Sequence, residues 1–323
     1  MGGEKRDWTD PGYLKVNYAY DGVGPSVRTH GWHTLPPAGL PDVPPQLDRL
    51  RNVTGIEPAL RQFGFRTVVY SQMNTRGPIA ESALELEALM AALLAHPSGP
   101  ADDQSIALVG HSRGGLVIRK FLKDNFGSPL TDRIRRVVTL SSPHQGSMLA
   151  NLSIAVGVSV RALVAGLAAV PALGGLLGTA IAPIVDGLTS DSRRDLAVGS
   201  EFLKRLANGE GALPGARYFT LGGTSTTLTR VWQYLYTPDS WVLRRVNTRP
   251  FFHRSEPSQW PIVSPFAETV PAPCDEIRHG RGDLLVAEVN ARLPFAIHRV
   301  HHLNHAEFLW DAQVKFDLRN MLV

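Results

Sequence analysis

The stretch SIALVGHSRGGLVIRK, residues 105–120, decides the fold that this sequence predicts. Residues 105–109 have strand character, residues 110–114 form a G-x-S-x-G turn, and an apolar helical pattern begins at Leu116. A strand, a sharp turn and a helix with a serine at the apex are the context that a nucleophile elbow requires. We therefore predict that the turn lifts the hydroxyl of Ser112 clear of a β-sheet.

The residues around this serine suit the same interpretation. We expect both outer glycines of the turn, Gly110 and Gly114, to be required, because the chain reverses so tightly that a Cβ there would clash with neighbouring elements. The backbone N–H of Arg113 would lie at a helix N-terminus, where donors lack intrahelical partners and favour negative charge. We therefore predict that Arg113 supplies one donor of an oxyanion hole.

The composition is that of a globular protein, since 43% of the 323 residues are hydrophobic and 19% are charged. The net charge is +4 and the pI is about 9.3, but lysine and arginine occur singly or in short pairs such as Arg135-Arg136. A nucleic-acid partner would need a concentrated basic stripe with interleaved aromatic side chains. We therefore expect no nucleic-acid partner.

Cysteine usage and the N-terminus bear on the location of the protein. The single cysteine, Cys274, cannot form an intramolecular disulfide, which is compatible with the cytosol and with a secreted enzyme. Residues 1–10 are polar and lack the apolar region of a signal peptide. The protein is thus either intracellular or without its leader, and we expect a secreted protein whose leader has been removed.

Strand-like and helical segments alternate along the chain, and residues 80–95 give the clearest amphipathic helical pattern. The main predicted strands are 66–70, 105–109, 134–140, 217–221 and 296–300, and the last predicted helix is 306–322. This alternation predicts right-handed β-α-β crossovers in a mainly parallel sheet with helices on both faces. We expect a single α/β domain over residues 1–323.

Two segments break the alternation. Residues 151–188 are rich in Ala, Val, Leu and Gly, and residues 162–182 carry no charge, a length that could span a bilayer. Several prolines and glycines and the flanking α/β elements favour a buried or capping helical pair over a membrane span. Residues 230–275 are aromatic and proline-rich, and we interpret them as a long excursion with little regular structure.

A serine hydroxyl needs an adjacent base, and the base needs a third group that holds its tautomer. In the order Ser, Asp or Glu, His, both partners follow the serine on loops at the carboxyl ends of later strands. His305 is the best candidate for the base, because it lies between the last predicted strand and the last helix. His301 and His302 remain alternatives at the end of that strand.

For the acid, Asp283 lies on a glycine-flanked turn before the last strand, and Asp275 and Glu276 are its competitors. The second oxyanion donor should come from a loop after an early strand. His30-Gly31-Trp32 is the one His-Gly pair in that position, so we predict the Trp32 N–H as the donor.

Two further residues are placed in the substrate pocket. His144 follows the next predicted strand after the elbow and is expected to form the floor of the site. Leu284 follows the predicted acid directly. The third histidine near the site, His111, is expected to have a packing role inside the elbow.

Together these motifs resemble the α/β-hydrolase superfamily, and within it the bacterial lipases with a G-H-S-x-G-G elbow. The resemblance covers most of the chain from Arg66 onward. Its motifs here are the 70–77 segment, the elbow at 110–115, Ser-Pro-His-Gln-Gly-Ser at 142–147, the acid turn at 282–286 with Leu284 in place of glycine, and Asn304-His305.

The resemblance implies hydrolysis of carboxylic esters with apolar acyl groups through an acyl-serine, and no cofactor. It also implies a mobile apolar helical lid, here residues 148–205, whose inner face would meet acyl chains or a lipid–water interface. Other acyl hydrolases on the same triad are the nearer alternative: a polyester depolymerase, thioesterase, amidase or glycolipid deacylase. A membrane-associated protein without enzymatic activity is the farther one. Relatives with a calcium site would place ligands near Glu307 and Asp311.

Overall fold

The computed structural model describes residues 8–9, 18–23, 55–70, 72–74, 77–155, 192–225, 230–237, 240–246, 274–278 and 280–323. Trp32 and residues 156–191 of the predicted lid lie outside these described residues. Both interpretations therefore stay predictions.

The described part of the chain forms strands and helices in alternation. The strands are β1 (Tyr18–Val23), β2 (Ile106–His111), β3 (Ile134–Leu140), β4 (Arg217–Gly223), β5 (Arg230–Thr237), β6 (Ser240–Val246) and β7 (Ile297–His301). The α-helices are α1 (Ile56–Gln62), α2 (Ile79–Ala95), α3 (Arg113–Asp124), α4 (Met148–Ala155), α5 (Ser192–Leu196), α6 (Glu201–Ala207) and α7 (Ala312–Leu322). Short 3-10 helices cover Asp275–Ile277, Glu288–Ala291 and Glu307–Leu309.

The central sheet has four parallel strands in the order β2-β3-β4-β7. One row across the sheet pairs Gly110 with Thr139, Thr139 with Thr220, and Thr220 with His298. Because the strands run in one direction and stay in register, their carboxyl ends meet at one edge. The loops that follow β2, β3 and β7 therefore converge there.

Helices cover both faces of this sheet, as the sequence predicts. Successive residues of β3 point to opposite faces. Val137 packs into an apolar cluster with α2 and α3, and Val138 packs into a second cluster with α1 and α7. The predicted α/β architecture with a parallel sheet between two helical layers is therefore confirmed.

The structure differs from the sequence prediction in three places. The predicted strand at 66–70 is wrong: these residues form no strand, and the side chains of Arg66 and Thr67 bond to Ser98 O and to Glu57 Oε1. A β-branched pattern indicates extended backbone but not a pairing partner.

The other two differences concern later segments. The predicted helix 306–322 divides, because Asp311 caps a new helix by accepting the amides of Gln313 and Val314. The segment read as having little regular structure holds the antiparallel pair β5-β6, which forms a second sheet with β1 in the order β1-β5-β6. Across the described residues, no helix combines the length and apolar character needed to cross a bilayer.

Candidate active site

The nucleophile elbow forms at the junction of β2 and α3. β2 ends at His111 and α3 begins at Arg113, so the turn is made at Ser112, with φ 55° and ψ −130°. A non-glycine residue in such a region is strained by about 1–3 kcal/mol and persists because its surroundings hold it. One such restraint is the Ser112 N–H, which donates to Leu140 O at the end of β3, 2.9 Å away.

Close packing around the elbow explains two of its three glycines. A Cβ on Gly110 would lie 2.9 Å from the backbone of Gly114, and a Cβ on Gly115 would lie 2.2 Å from Oγ of Ser142. A Cβ on Gly114 meets nothing within 4 Å in the described structure. The predicted glycine requirement therefore holds at Gly110, but its second position is Gly115 rather than Gly114.

The side chain of Arg113 ties the elbow to the start of α2. It is buried, and it donates to Gln72 Oε1 and Gly77 O, each at 2.7 Å, and to Ser82 Oγ at 3.0 Å. Burial lowers the pKa of the Arg113 guanidinium. All of these bonds are made by the side chain. The backbone N–H of Arg113 is the first amide of α3 and has no intrahelical acceptor.

The acid turn holds the carboxylate of Asp283 in a fixed orientation. Oδ1 accepts the amides of Leu285 at 3.1 Å and Val286 at 2.8 Å. Leu284, directly after Asp283, has φ 91°, a conformation that favours glycine, which accounts for the glycine expected there from the resemblance. With Oδ1 occupied by two amides, Oδ2 is left for side-chain donors.

The structure brings Asp283 and His305 together, with both side chains fully buried. Nδ1 of His305 donates to Oδ2 of Asp283 over 3.0 Å, and the His305 amide donates to Asp283 O over 2.9 Å. A carboxylate accepts but does not donate, so the proton of the neutral imidazole is on Nδ1 and the lone pair is on Nε2. That Nε2 atom is buried and has no hydrogen-bond partner among the described residues.

His111 joins the elbow to the histidine loop. Its Nε2–H donates to the carbonyl of His305 at 2.8 Å, and the two rings lie 4.7 Å apart. Burial, and secondarily the neighbouring His305, lower the pKa of His111 well below its usual value, so this ring is neutral. Because His111 directly precedes Ser112, this bond links the elbow to the loop that holds His305.

Ser141 is a member of this cluster that the sequence did not single out. It follows β3 directly, is fully buried, and has φ 45°. Its Oγ donates a hydrogen bond to Oδ2 of Asp283 and lies 3.2 Å from Nδ1 of His305. Its position at the carboxyl end of the strand next to β2 was a signal that could have indicated it.

The competing acids have other partners. Asp275 forms ion pairs with Arg278 and Arg281 at 3.0 and 3.6 Å. Glu276 is buried, and its Oε1 accepts the amide of Met148 at 2.7 Å, at the start of α4. Neither carboxylate bonds to His305, so geometry selects Asp283.

The competing histidines also lie elsewhere. Nε2 of His301 is 3.1 Å from Oδ2 of Asp317 on α7, and Nδ1 of His302 is 3.2 Å from Oγ1 of Thr224. Both residues therefore face partners outside the Asp283 turn.

The carboxylates considered for calcium have structural partners. Oε2 of Glu307 accepts the amide of Asn304, and Oδ1 of Asn304 accepts the amides of Ala306 and Glu307. This reciprocal bonding fixes the loop that holds His305, and Asp311 caps α7. In the part of the chain that the structure describes, no group of three or more His, Cys, Asp or Glu residues could hold a metal ion.

The two predicted pocket residues are buried in the scaffold. Nε2 of His144 bonds to Oγ1 of Thr139 at 2.8 Å, and its carbonyl accepts from Arg119 at 2.9 Å. Burial, then the nearby charges of Arg119 and His298, lower the pKa of His144 well below its usual value. Both residues are buried in the described structure, and their placement in a substrate pocket stays a prediction.

A cavity of about 730 Å³ lies behind the elbow, between β2 and α2. Its lining includes Gly110 and Gly114 but neither Ser112 nor His305. We therefore do not assign the substrate to it.

Part of the chain matches a known protein family. Residues 84–157, which contain the elbow, match the PGAP1-like alpha/beta domain. No curated protein matches the chain in sequence.

Solved structures with a similar fold include three bacterial or metagenomic enzymes. A mature lipase of Bacillus licheniformis is 19% identical, with a TM-score of 0.45 over 76% of this chain and 75% of that one. A lipase of Staphylococcus hyicus is 15% identical, with a TM-score of 0.44 over 94% of this chain and 92% of that one. A metagenomic carboxyl esterase is 18% identical, with a TM-score of 0.38 over 71% of this chain and 52% of that one.

The resemblance to α/β-hydrolases found in the motifs is confirmed by the domain match over residues 84–157 and by the parallel sheet. The four-stranded parallel sheet, its two helical layers, the strained elbow at Ser112 and the domain match over residues 84–157 together give the described part of the chain an α/β-hydrolase-type fold.

Proposed function

We propose that this protein is a serine hydrolase of carboxylic esters, with Ser112, His305 and Asp283 as its catalytic triad. One observation carries the proposal: a fully buried Asp283–His305 pair whose imidazole Nε2 has no partner among the described residues, joined through His111 to the elbow that contains Ser112. A lone pair held in that orientation is what a serine hydroxyl needs in order to lose its proton.

The proposed reaction gives each of these groups a role. Oγ of Ser112 attacks the ester carbonyl carbon while Nε2 of His305 takes the hydroxyl proton. The carbonyl oxygen becomes an oxyanion that accepts the Arg113 N–H, and such a donor contributes about 3 kcal/mol to transition-state stabilisation. We keep the Trp32 N–H as the second predicted donor.

The second half of the reaction returns the enzyme to its starting state. The tetrahedral intermediate collapses, the C–O bond to the alcohol breaks, and His305 gives its proton to the departing alkoxide. Water then loses a proton to Nε2 and attacks the acyl-serine, which releases the carboxylic acid and restores the Ser112 hydroxyl. Asp283 stabilises the imidazolium in both halves.

The substrate proposed is an ester with an apolar acyl group, met at a lipid–water interface. This proposal is supported by the apolar composition of residues 151–188, which follow β3 and the His144 loop. A ladder of p-nitrophenyl esters from acetate to palmitate, with and without an oil–water interface, tests it. Preference for medium or long chains with an interface supports it, and preference for acetate in solution contradicts it.

The triad is tested with Ser112→Ala and a fluorophosphonate probe. We expect wild-type protein to hydrolyse p-nitrophenyl esters and to be labelled at Ser112, and Ser112→Ala to lose both properties while it unfolds at the same urea concentration. The matched control is Ser98→Ala, since Ser98 is exposed and distant in sequence from the elbow. Near-parental turnover in Ser112→Ala would reject the assignment.

A further inference from the structure

The hydroxyl of Ser141 occupies a place that the reaction described above leaves without a role. Asp283 has four hydrogen-bond donors around its carboxylate: two amides on Oδ1, and His305 and Ser141 on Oδ2. Nδ1 of His305 accordingly lies 3.0 Å from one oxygen of Asp283 and 3.2 Å from Oγ of Ser141. Two oxygen atoms on separate loops therefore face the same imidazole N–H.

The backbone of Ser141 indicates that its side chain is needed. A φ of 45° is the left-handed region, which glycine adopts freely and which costs a residue with a Cβ about 1–2 kcal/mol. The Ser141 amide donates to Leu221 O at 2.7 Å and so continues the pairing of β3 with β4. Glycine would satisfy this backbone geometry without strain, so the strained serine points to a use for the hydroxyl.

From these observations, and resting on the proposed function, we propose that Ser141 is a positioning residue of the triad. Its hydroxyl donates to Oδ2 of Asp283 and so fixes this oxygen in line with Nδ1–H of His305. Its own lone pair, 3.2 Å from Nδ1, restricts rotation of the imidazole out of that plane. Ser141 touches no reacting atom and acts through the two residues that it contacts.

The groups that face the imidazole come from separate elements, so the effect of Ser141 can be isolated. Asp283 is on the acid turn, His111 is at the end of β2, and Ser141 follows β3. The neighbouring serine, Ser142, is equally buried, but its Oγ has no partner within the described structure. Ser142→Ala is therefore a matched control that removes a buried hydroxyl one residue away.

The test uses two substitutions that share the loss of the hydroxyl but differ in backbone strain. Ser141→Gly relieves the left-handed strain, and Ser141→Ala keeps it. We expect both variants to lower kcat about tenfold, the size of one lost charge-assisted hydrogen bond, with KM unchanged. We also expect no further loss when Ser141→Gly is added to Asp283→Asn, because the hydroxyl acts through that carboxylate.

A second readout does not depend on ester hydrolysis. The proton on Nδ1 of His305 should give a far-downfield NMR resonance, which Asp283→Asn abolishes and thereby assigns. In Ser141→Gly and Ser141→Ala we expect this resonance to broaden through faster exchange with water, while amides of β3 and β4 keep their protection. Ser142→Ala should leave the resonance sharp.

The outcomes separate this inference from the proposed function. Wild-type kcat with a sharp Nδ1–H resonance in Ser141→Gly would overturn the positioning role, even if Ser112→Ala is inactive. A broadened resonance in a chain that hydrolyses no ester would support the positioning role and reject the hydrolase proposal. If the loss of kcat in Ser141→Gly and Ser141→Ala is proportional to their loss in free energy of unfolding, and the Nδ1–H resonance is unchanged, then Ser141 has only a structural role.

Discussion

The glycine pair after the nucleophile gives a sharp test of how closely α3 approaches β3. In Gly115→Ala, the new Cβ would lie 2.2 Å from Oγ and 2.6 Å from Cβ of Ser142, and 3.0 Å from Cγ2 of Thr139. Ser142 and Thr139 are both buried, so helix and strand must separate. In Gly114→Ala, the Cβ meets nothing within 4 Å in the described structure.

The two substitutions should therefore change the free energy of unfolding in opposite directions. Alanine in place of glycine favours a helix by about 1 kcal/mol, and overpacking a core costs about 1–3 kcal/mol and sometimes more. With contacts this short at Gly115, we expect a net loss of about 2 kcal/mol in the free energy of unfolding. We expect a gain of about 0.5–1 kcal/mol for Gly114→Ala.

Urea denaturation followed by tryptophan fluorescence measures both values under one set of conditions. The double variant Gly115→Ala/Ser142→Gly is the control, because it removes both atoms nearest to the new Cβ and should recover part of the loss. If Gly115→Ala is as stable as Gly114→Ala, the close approach of α3 to the loop after β3 is refuted.

Three further predictions follow from buried or capping groups. Burial lowers the pKa values of His111 and His144 well below 6.5. Below pH 6.5, therefore, these two histidines take up protons in the unfolded chain but not in the folded protein. The free energy of unfolding should then fall by about 1.4 kcal/mol per pH unit for each histidine as the pH is lowered. Denaturation at pH 8, 6 and 5 measures this slope, and His144→Gln should make it shallower by about one proton. Asp311→Ala removes the cap of α7 and should cost about 1 kcal/mol in the same assay, whereas an unchanged value contradicts the capping role. Asp283→Asn should lower kcat for ester hydrolysis about 10⁴-fold because it favours the wrong tautomer of His305. Stopped assays at high enzyme concentration measure the remaining kcat, and a much smaller loss contradicts this role of Asp283.

The sequence was sufficient for features that depend on neighbouring residues. The elbow is encoded within 16 residues, because a strand pattern, a G-x-S-x-G turn and a helix pattern follow one another directly. The alternation of strands and helices likewise predicted the parallel sheet, since β-α-β crossovers have few topologies. The hypotheses for Asp283 and His305 also came from order along the chain, together with the resemblance.

Features that depend on contacts between distant segments could not be predicted. The segment 66–70 has a strand pattern but bonds to Glu57 and Ser98 instead of a neighbouring strand. His144 has the chain position of a pocket residue, but its ring is bonded to Thr139 inside the scaffold. In both cases the pattern along the chain leaves the bonding partner open.

By itself, then, the sequence determined the elbow at Ser112 and the class of fold, because these follow from periodicity and turn chemistry. Tertiary structure decided which carboxylate meets which histidine, that Gly115 rather than Gly114 must lack a Cβ, and that Ser141 faces Asp283 across 142 residues of chain. The physical reason is that hydrogen bonding and close packing act over a few ångströms in space, whatever the separation along the chain.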